Sequence, residues 1–394
     1  MPTVLILGAS VAGLPIAHAL LKNNATTTKK TKVILVNPSP DFFWMIAAPR
    51  ILTKPAAFRP EQYLIPIAPG FAAYPAGEFE FVEGAATAVD FAAKRVSVAL
   101  AASSSTAGTK TRELGYDYLV LATGSTTPSS VAADSETAAL YPFKPPPPSP
   151  SNPTPAPLEE LIRSAQTTIQ KAKRIVIGGA GPVGLETAGE LADLPHRPSI
   201  TLISAAERVL PGLTEGASRT AATQLAAKGV HVVTGRKVQS YSAAEGVVTL
   251  DNGETLETEV YIPTTGVLPN SAYLPREVLD EKGWVVVDEE LRVQGPAVEG
   301  VWAAGDLTAH PGRLAQRAGE QAGIVAHNLV AEINGAGAGR RRRFAPGRAM
   351  MVVPIGAAGG TGELWFGWVP FVWLVRLVKG RDFFIAKAKS LVFP

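Results

Sequence analysis

The stretch RIVIGGAGPVGLETAGEL, residues 174–191, decides how this chain is organised. Its first four residues read as a short buried strand, and glycines follow at Gly179, Gly181 and Gly184 in the G-x-G-x-x-G spacing. The first glycine permits a tight turn. The second lets a pyrophosphate come close to the backbone, and the third lets the following helix pack closely on the strand. The helix then presents unpaired N–H groups and the positive end of its dipole to the phosphates. A second apolar strand, SITLIS at 199–204, completes a βαβ unit. The residue ending that strand usually separates the two nicotinamide cofactors, because a carboxylate there binds the ribose 2′-OH and repels a 2′-phosphate. Here the position is Ser204, with Arg208 close behind as a cation for a 2′-phosphate, so NADPH is expected to be accepted alongside NADH.

The same design opens the chain. VLILGASVAG, residues 4–13, is an apolar run into a turn in which Gly8 and Gly13 hold the outer positions and Ser10 replaces the middle glycine. A helix over 11–22 and a second strand, KVILVN at 32–37, follow. Each half later carries an apolar strand ending in Thr-Gly: YLVLATGS at 118–125, with Thr123 and Gly124, and VYIPTTGVLPN at 260–270, with Gly266. One motif set present twice predicts an α/β protein with two Rossmann-like dinucleotide-binding domains, one interrupting the other. The expected boundaries are 1–157 and 267–335 for the first domain, 158–266 for the second, and 336–394 for a small C-terminal subdomain. Residues 79–100 read as a strand meander and 101–110 as a low-complexity loop. The proline-rich stretch 142–157 reads as an extended interdomain connector.

Composition narrows the chemistry. The chain has 394 residues, 46% hydrophobic and 18% charged, the balance of a folded globular protein. It contains no cysteine, which removes disulfides, thiolate metal sites and redox dithiols. The five histidines show no ligand spacing, so no metal site is expected. Only three residues precede the first strand, so no leader is expected, and Pro2 removes the Met-Gly start that N-myristoylation requires. Charge is uneven: the net +3 of the chain combines a strongly basic tail, including consecutive Arg340, Arg341, Arg342 and Arg343, with an acidic remainder. The tail also holds LWFGWVPFVWLV at 364–375, too short to span a bilayer and interrupted by Pro370. Aromatics beside a basic run fit an anionic membrane surface or a quinone channel better than nucleic acid. A solvated basic loop on a packed C-terminal subdomain is the alternative.

The third signal is VEGVWAAGDLT, residues 298–308, where a short strand runs into Gly305-Asp306 and is expected to open a helix. A carboxylate there accepts a hydrogen bond from a flavin ribityl hydroxyl, or simply caps a helix.

Gly-rich turn, ATG, a second Gly-rich turn, TTG and AAGD occur in the order found in flavoproteins with two dinucleotide-binding domains. The chain resembles the pyridine nucleotide-disulfide oxidoreductase superfamily without its redox cysteines. Within it, GGAGPVGLETAGEL, LATGS and LVRLVKGRDFF are similar to the apoptosis-inducing-factor-like branch, including ferroptosis-suppressor-type NAD(P)H:quinone oxidoreductases. That resemblance implies FAD at the first turn and NADH or NADPH at the second. It also implies hydride transfer to the flavin and onward transfer to a quinone or other small acceptor. Gly8, Ser10 and Gly13 would line the FAD pyrophosphate, and Asn37 stands where the family's carboxylate binds the adenosine ribose. Arg50 matches an arginine on the flavin nucleotide, and Val82 a strand residue whose backbone meets adenine. Thr123 and Gly124 would approach the cofactor, and Asp306 the ribityl chain. Glu186 matches a glutamate near the nicotinamide and is the candidate catalytic residue. Paired with Glu190 one turn on, it reads equally as part of a structural ion pair. The resemblance implies a cytoplasmic protein, peripheral on a membrane such as the mitochondrial outer surface. A redox-gated binding protein and a flavoenzyme of specialised metabolism remain as alternative readings.

Overall fold

The structure is a computed structural model describing residues 1–101, 110–128, 141–146, 156–335, 340–347 and 350–394. Most of the low-complexity loop and the centre of the proline-rich connector lie outside the described residues.

Strand β1 (Thr3–Leu7) leads through the first glycine turn into helix α1 (Gly13–Asn24), and β2 (Lys32–Asn37) returns parallel to β1. Val4, Leu5 and Ile6 are completely buried, the apolar run that a parallel strand covered on both faces requires. Next come a short helix α2 (Ala48–Thr53) and the meander β3 (Phe79–Asp90), β4 (Arg95–Leu100) and β5 (Thr111–Gly115). β6 (Tyr118–Leu121) then pairs parallel with β1 on the side away from β2.

The second unit repeats this plan. Helix α3 (Leu158–Lys171) precedes β7 (Arg174–Gly178), α4 (Pro182–Ala192) and β8 (Ser199–Ile203). Helix α5 (Glu215–Ala227), β9 (Val230–Val233) and an antiparallel ribbon β10 (Val238–Ser242), β11 (Val247–Leu250) and β12 (Thr255–Glu257) follow. β13 (Val260–Pro263) pairs with β7 as β6 pairs with β1. Only then does the chain return to the first sheet, where β14 (Val301–Ala303) lies beside β6 and α6 (Ala315–Ile333) packs on α1. The larger sheet therefore runs β14-β6-β1-β2-β3-β4-β5 and the smaller β9-β8-β7-β13. The small sheet is inserted in sequence between strands of the large one, as the doubled motif set predicts.

The two connections between the units are tied together. Ser125–Thr126 and Leu268–Pro269 form an antiparallel pair, so the ATGS and TTGVLPN echoes run side by side.

The C-terminal segment bridges both units. Its hairpin, β15 (Met351–Ile355) and β16 (Gly359–Glu363), lies on α4 and α5. Gly189 is the contact point: a Cβ there would stand 2.3 Å from the Gly356 nitrogen. The chain then crosses to the first unit, where Trp44 Nε1 donates to the Phe383 carbonyl at 2.9 Å and Phe383 is fully buried. The ring of His18 stacks on Phe71, and its Nε2 meets the Val392 carbonyl at 3.1 Å. No helix among the described residues is long and apolar enough to cross a membrane.

Candidate functional site

The carboxyl ends of the parallel strands gather the first group of candidate residues. Gly8 leaves β1 at φ +104°, and a Cβ there would lie 2.3 Å from the carbonyl oxygen of Ala122, at the end of β6. Gly13 opens α1 so close to the turn that a Cβ would stand 1.8 Å from the Gly8 oxygen. Gly305, at the third motif, approaches Ala12 of the same turn. The Gly8–Gly13 turn, the Thr123-Gly124 crossing and Asp306 thus converge. Val82 lies in register with Val36, adjacent to Asn37. This is the crevice in which open α/β sheets bind their ligands.

The second turn has the same mechanics. Gly179 stands at φ +113°, and a Cβ on Gly184 would fall 1.9 Å from the Gly179 oxygen. Thr264 pins the turn, its hydroxyl donating to the carbonyls of Gly178 and Gly179 at 3.0 and 2.9 Å. A Cβ on Gly181 would meet nothing within 4 Å, so the position intended for phosphate approach faces open space. Two glycine turns, each blocked by its own carbonyl and open at the helix N-terminus, fit two dinucleotides. Gly266 follows at φ +70°, beside Pro128.

Other candidates are engaged within the chain. Asn37 accepts from the Ala9 N–H at 3.0 Å and donates to the Ser39 carbonyl at 2.8 Å, so its amide holds the glycine turn to the strand end. Glu83, which the sequence reading did not select, lies in register with Asn37 and brings a carboxylate to the same end of the sheet. Burial, then the nearby Asp41, holds that carboxyl above the usual range. Arg50 is buried. Its Nε and Nη2 donate to Glu190 at 3.1 and 2.7 Å, and Nη1 and Nη2 also donate to the carbonyls of Arg381 and Gly380, both at 2.8 Å. The resemblance implies this side chain on the flavin nucleotide; in the structure its five-donor fork joins helix α4 to the tail. Lys54 also pairs with Glu190, at 2.8 Å.

Glu186, one turn before Glu190, is fully enclosed and meets Lys379 of the tail at 2.5 Å. Burial, the largest influence, raises its pKa despite the opposing Lys379 charge. Both glutamates therefore sit in buried ion pairs, with Glu186 held by a cation from the far end of the chain.

Asp306 is also held by an unforeseen residue. Gly305–Leu307 is a single 3₁₀ turn, and α6 starts only at Ala315, so Asp306 does not open that helix. Lys144 Nζ lies 2.7 Å from Asp306 Oδ2 and 2.6 Å from Ser125 Oγ. The connector is more than a spacer: Tyr141 and Phe143 enter the core and deliver Lys144 to this carboxylate. The neighbouring Thr123 is fixed by Asn270, which donates to its carbonyl, and by the half-buried Tyr273, whose hydroxyl meets its own at 3.1 Å.

At the end of β8, the Ser204 hydroxyl is buried and donates to the Arg208 carbonyl at 2.9 Å. Arg208 turns inward, its Nη2 donating to the carbonyls of Pro211 and Leu213 at 3.0 and 2.9 Å. The arginine run departs from expectation. Arg341 pairs with Glu290 and Glu332, and Arg343 with Glu289, so two of its four cations are matched by acids of the first unit. No group of residues suited to a metal occurs among the described residues.

One Rossmann-like unit inserted in another, each with its glycine turn and both bridged by the tail, is the architecture of a two-nucleotide flavoprotein reductase. The family model for pyridine nucleotide-disulphide oxidoreductases matches residues 2–322, and the chain belongs to that family. Its cofactors are accordingly FAD and a nicotinamide dinucleotide, and it is an NAD(P)H-dependent oxidoreductase. It is 36% identical to oxidoreductase ptaL of Pestalotiopsis fici over 92% of this chain and 91% of that protein. Ferroptosis suppressor protein 1 of Xenopus tropicalis is 27% identical over 70% of this chain and 71% of its own length. Among solved structures, the sulfide:quinone oxidoreductase of Aquifex aeolicus matches the whole chain and 92% of its own with a TM-score of 0.72 at 17% identity, a likeness of fold.

Proposed function

We propose that this protein oxidises NAD(P)H at its flavin and passes the electrons directly to a quinone-like small acceptor. The absence of cysteine carries this reading: with no dithiol relay, electrons leave from the flavin itself. FAD supplies the hydride-accepting ring and the two-electron reservoir. The protein's own contribution is positioning: glycine turns for the two pyrophosphates, Lys144 and Asp306 beside the first, and Glu186 with Lys379 on the nicotinamide-side helix. Likeness to the ferroptosis-suppressor type supports the acceptor class. The domain division 1–157 with 267–335, 158–266 and 336–394 belongs to the same proposal.

The tail supports a peripheral membrane position. Trp365, Phe371 and Trp373 are each more than 60% exposed and Phe366 is completely exposed, a density of bare aromatics that a water-facing surface rarely carries. Exposed Leu377 and Val378 adjoin them, and Arg381, Lys387 and Lys389 supply cations for anionic headgroups. The acid-matched arginine run leaves less basic surface for nucleic acid.

The purified protein should show a flavin spectrum, bleach with NADH or NADPH, and turn over with short-chain quinones. A colourless protein that takes up no FAD on reconstitution overturns the reading. Flavin reduction without turnover on any quinone removes the acceptor.

A further inference from the structure

The inward turn of Arg208 leaves open which group selects the nicotinamide cofactor, and the loop after β9 answers it. We infer that Arg236 is the cation that receives the 2′-phosphate of NADPH.

Strand β8 ends where the adenosine ribose of a βαβ-bound dinucleotide lies. The chain leaving β9 wraps that end. Ser204 N–H donates to the Val233 carbonyl at 2.7 Å, Gly235 N–H to the Ala206 carbonyl at 3.0 Å, and Arg236 N–H to the Ser204 carbonyl at 3.1 Å. These three bonds lay residues 233–236 along 204–206 and fix the start of the Arg236 side chain beside Ser204. Gly235 stands at φ +66°, a left-handed turn that aims the next residue back across the strand end.

Charge and occupancy separate the nearby groups. Arg208 is turned inward: its Nη2 donates to the Pro211 and Leu213 carbonyls and its Nη1 is buried. Arg236 is exposed, and its hydrogen bond goes to the adjacent Gly235 carbonyl at 2.9 Å, a contact easily exchanged for a phosphate. Lys237 follows it on the surface. The opposing group is Glu207, whose Oε1 lies 2.9 Å from where a Gly235 Cβ would be. Ser204 supplies no carboxylate of its own. The strand end therefore presents Arg236 against Glu207, and a planar guanidinium grips a phosphate through paired N–H donors. Glu207 opposes the phosphate and moderates the preference, so NADH remains a substrate.

The inference rests on the family's use of NAD(P)H and is independent of the acceptor, because its test reads ligand binding. The flavin-loaded protein is titrated calorimetrically with 2′,5′-ADP and with 5′-ADP, which lacks the 2′-phosphate. Wild type should bind 2′,5′-ADP more tightly. In Arg236→Gln the ratio of the two affinities should fall about tenfold, Arg236→Lys should recover part of it, and Glu207→Gln should raise it. The NADPH/NADH ratio of kcat/KM with ferricyanide should move the same way. Equal affinity for both probes in the wild type overturns the assignment. So does an affinity ratio in Arg236→Gln equal to that of wild type.

Discussion

Lys379 of the tail stands 2.5 Å from Glu186 on α4, closing a buried ion pair between segments far apart in sequence. Removing one member leaves the other charged and unsolvated, a cost of about 3–5 kcal/mol. Lys379→Met should therefore destabilise the protein strongly at neutral pH. The Glu186 carboxyl already binds its proton more tightly in the folded state, so its contribution is favourable at low pH and falls as pH rises through the folded pKa. The variant should thus lose less at pH 5 than at pH 7, and Lys379→Met/Glu186→Gln should recover much of the loss. Urea unfolding at both pH values checks this; an equal loss at the two would count against the pair.

His18 is held neutral in the core. Burial is the main cause, and it pushes the pKa down to about 4. The unfolded chain takes its proton first, so stability declines as pH falls from about 6.5 toward 4. The full effect is about 3 kcal/mol. His18→Gln should flatten that stretch of the stability curve. An unchanged slope in denaturant melts across the window would place the titration elsewhere.

The first turn tolerates Ser10 but not a side chain at its last glycine. Gly13→Val should abolish FAD retention, because even the first carbon collides with the Gly8 carbonyl oxygen. Ser10→Gly should keep the flavin. Visible absorbance after gel filtration reads both, and far-UV circular dichroism shows whether the valine variant stays folded. A folded, fully yellow Gly13→Val protein would remove this turn from the FAD site.

The exposed aromatics give a separable prediction for membranes. Trp365→Ser/Phe366→Ser/Trp373→Ser should lower affinity for anionic phospholipid vesicles at least tenfold, since each side chain withdraws more than about 1 kcal/mol of interfacial contact. Vesicle sedimentation at two salt concentrations measures it. Unaltered sedimentation would leave the patch as an ordinary surface of the fold.

The sequence by itself determined the architecture. A glycine at a left-handed φ, or one whose Cβ would strike a carbonyl a few residues away, is a local requirement, and an apolar run followed by such a turn announces itself. That is why both βαβ units, the paired Thr-Gly crossings and the insertion of one sheet within the other were legible. The partners of charged side chains were decided only by tertiary structure. Arg50 and Glu190 are 140 residues apart and Lys144 and Asp306 are 162 apart, distances at which no periodicity carries information. Arg50 was legible as a conspicuous arginine, yet the tail folding over α4 gave it a buried carboxylate and two carbonyls. Arg208 met free carbonyls before any phosphate, and the arginine run met the acids of residues 289, 290 and 332. Burial makes an unpaired charge costly, so whichever opposite charge or carbonyl the packing brings near it becomes its partner.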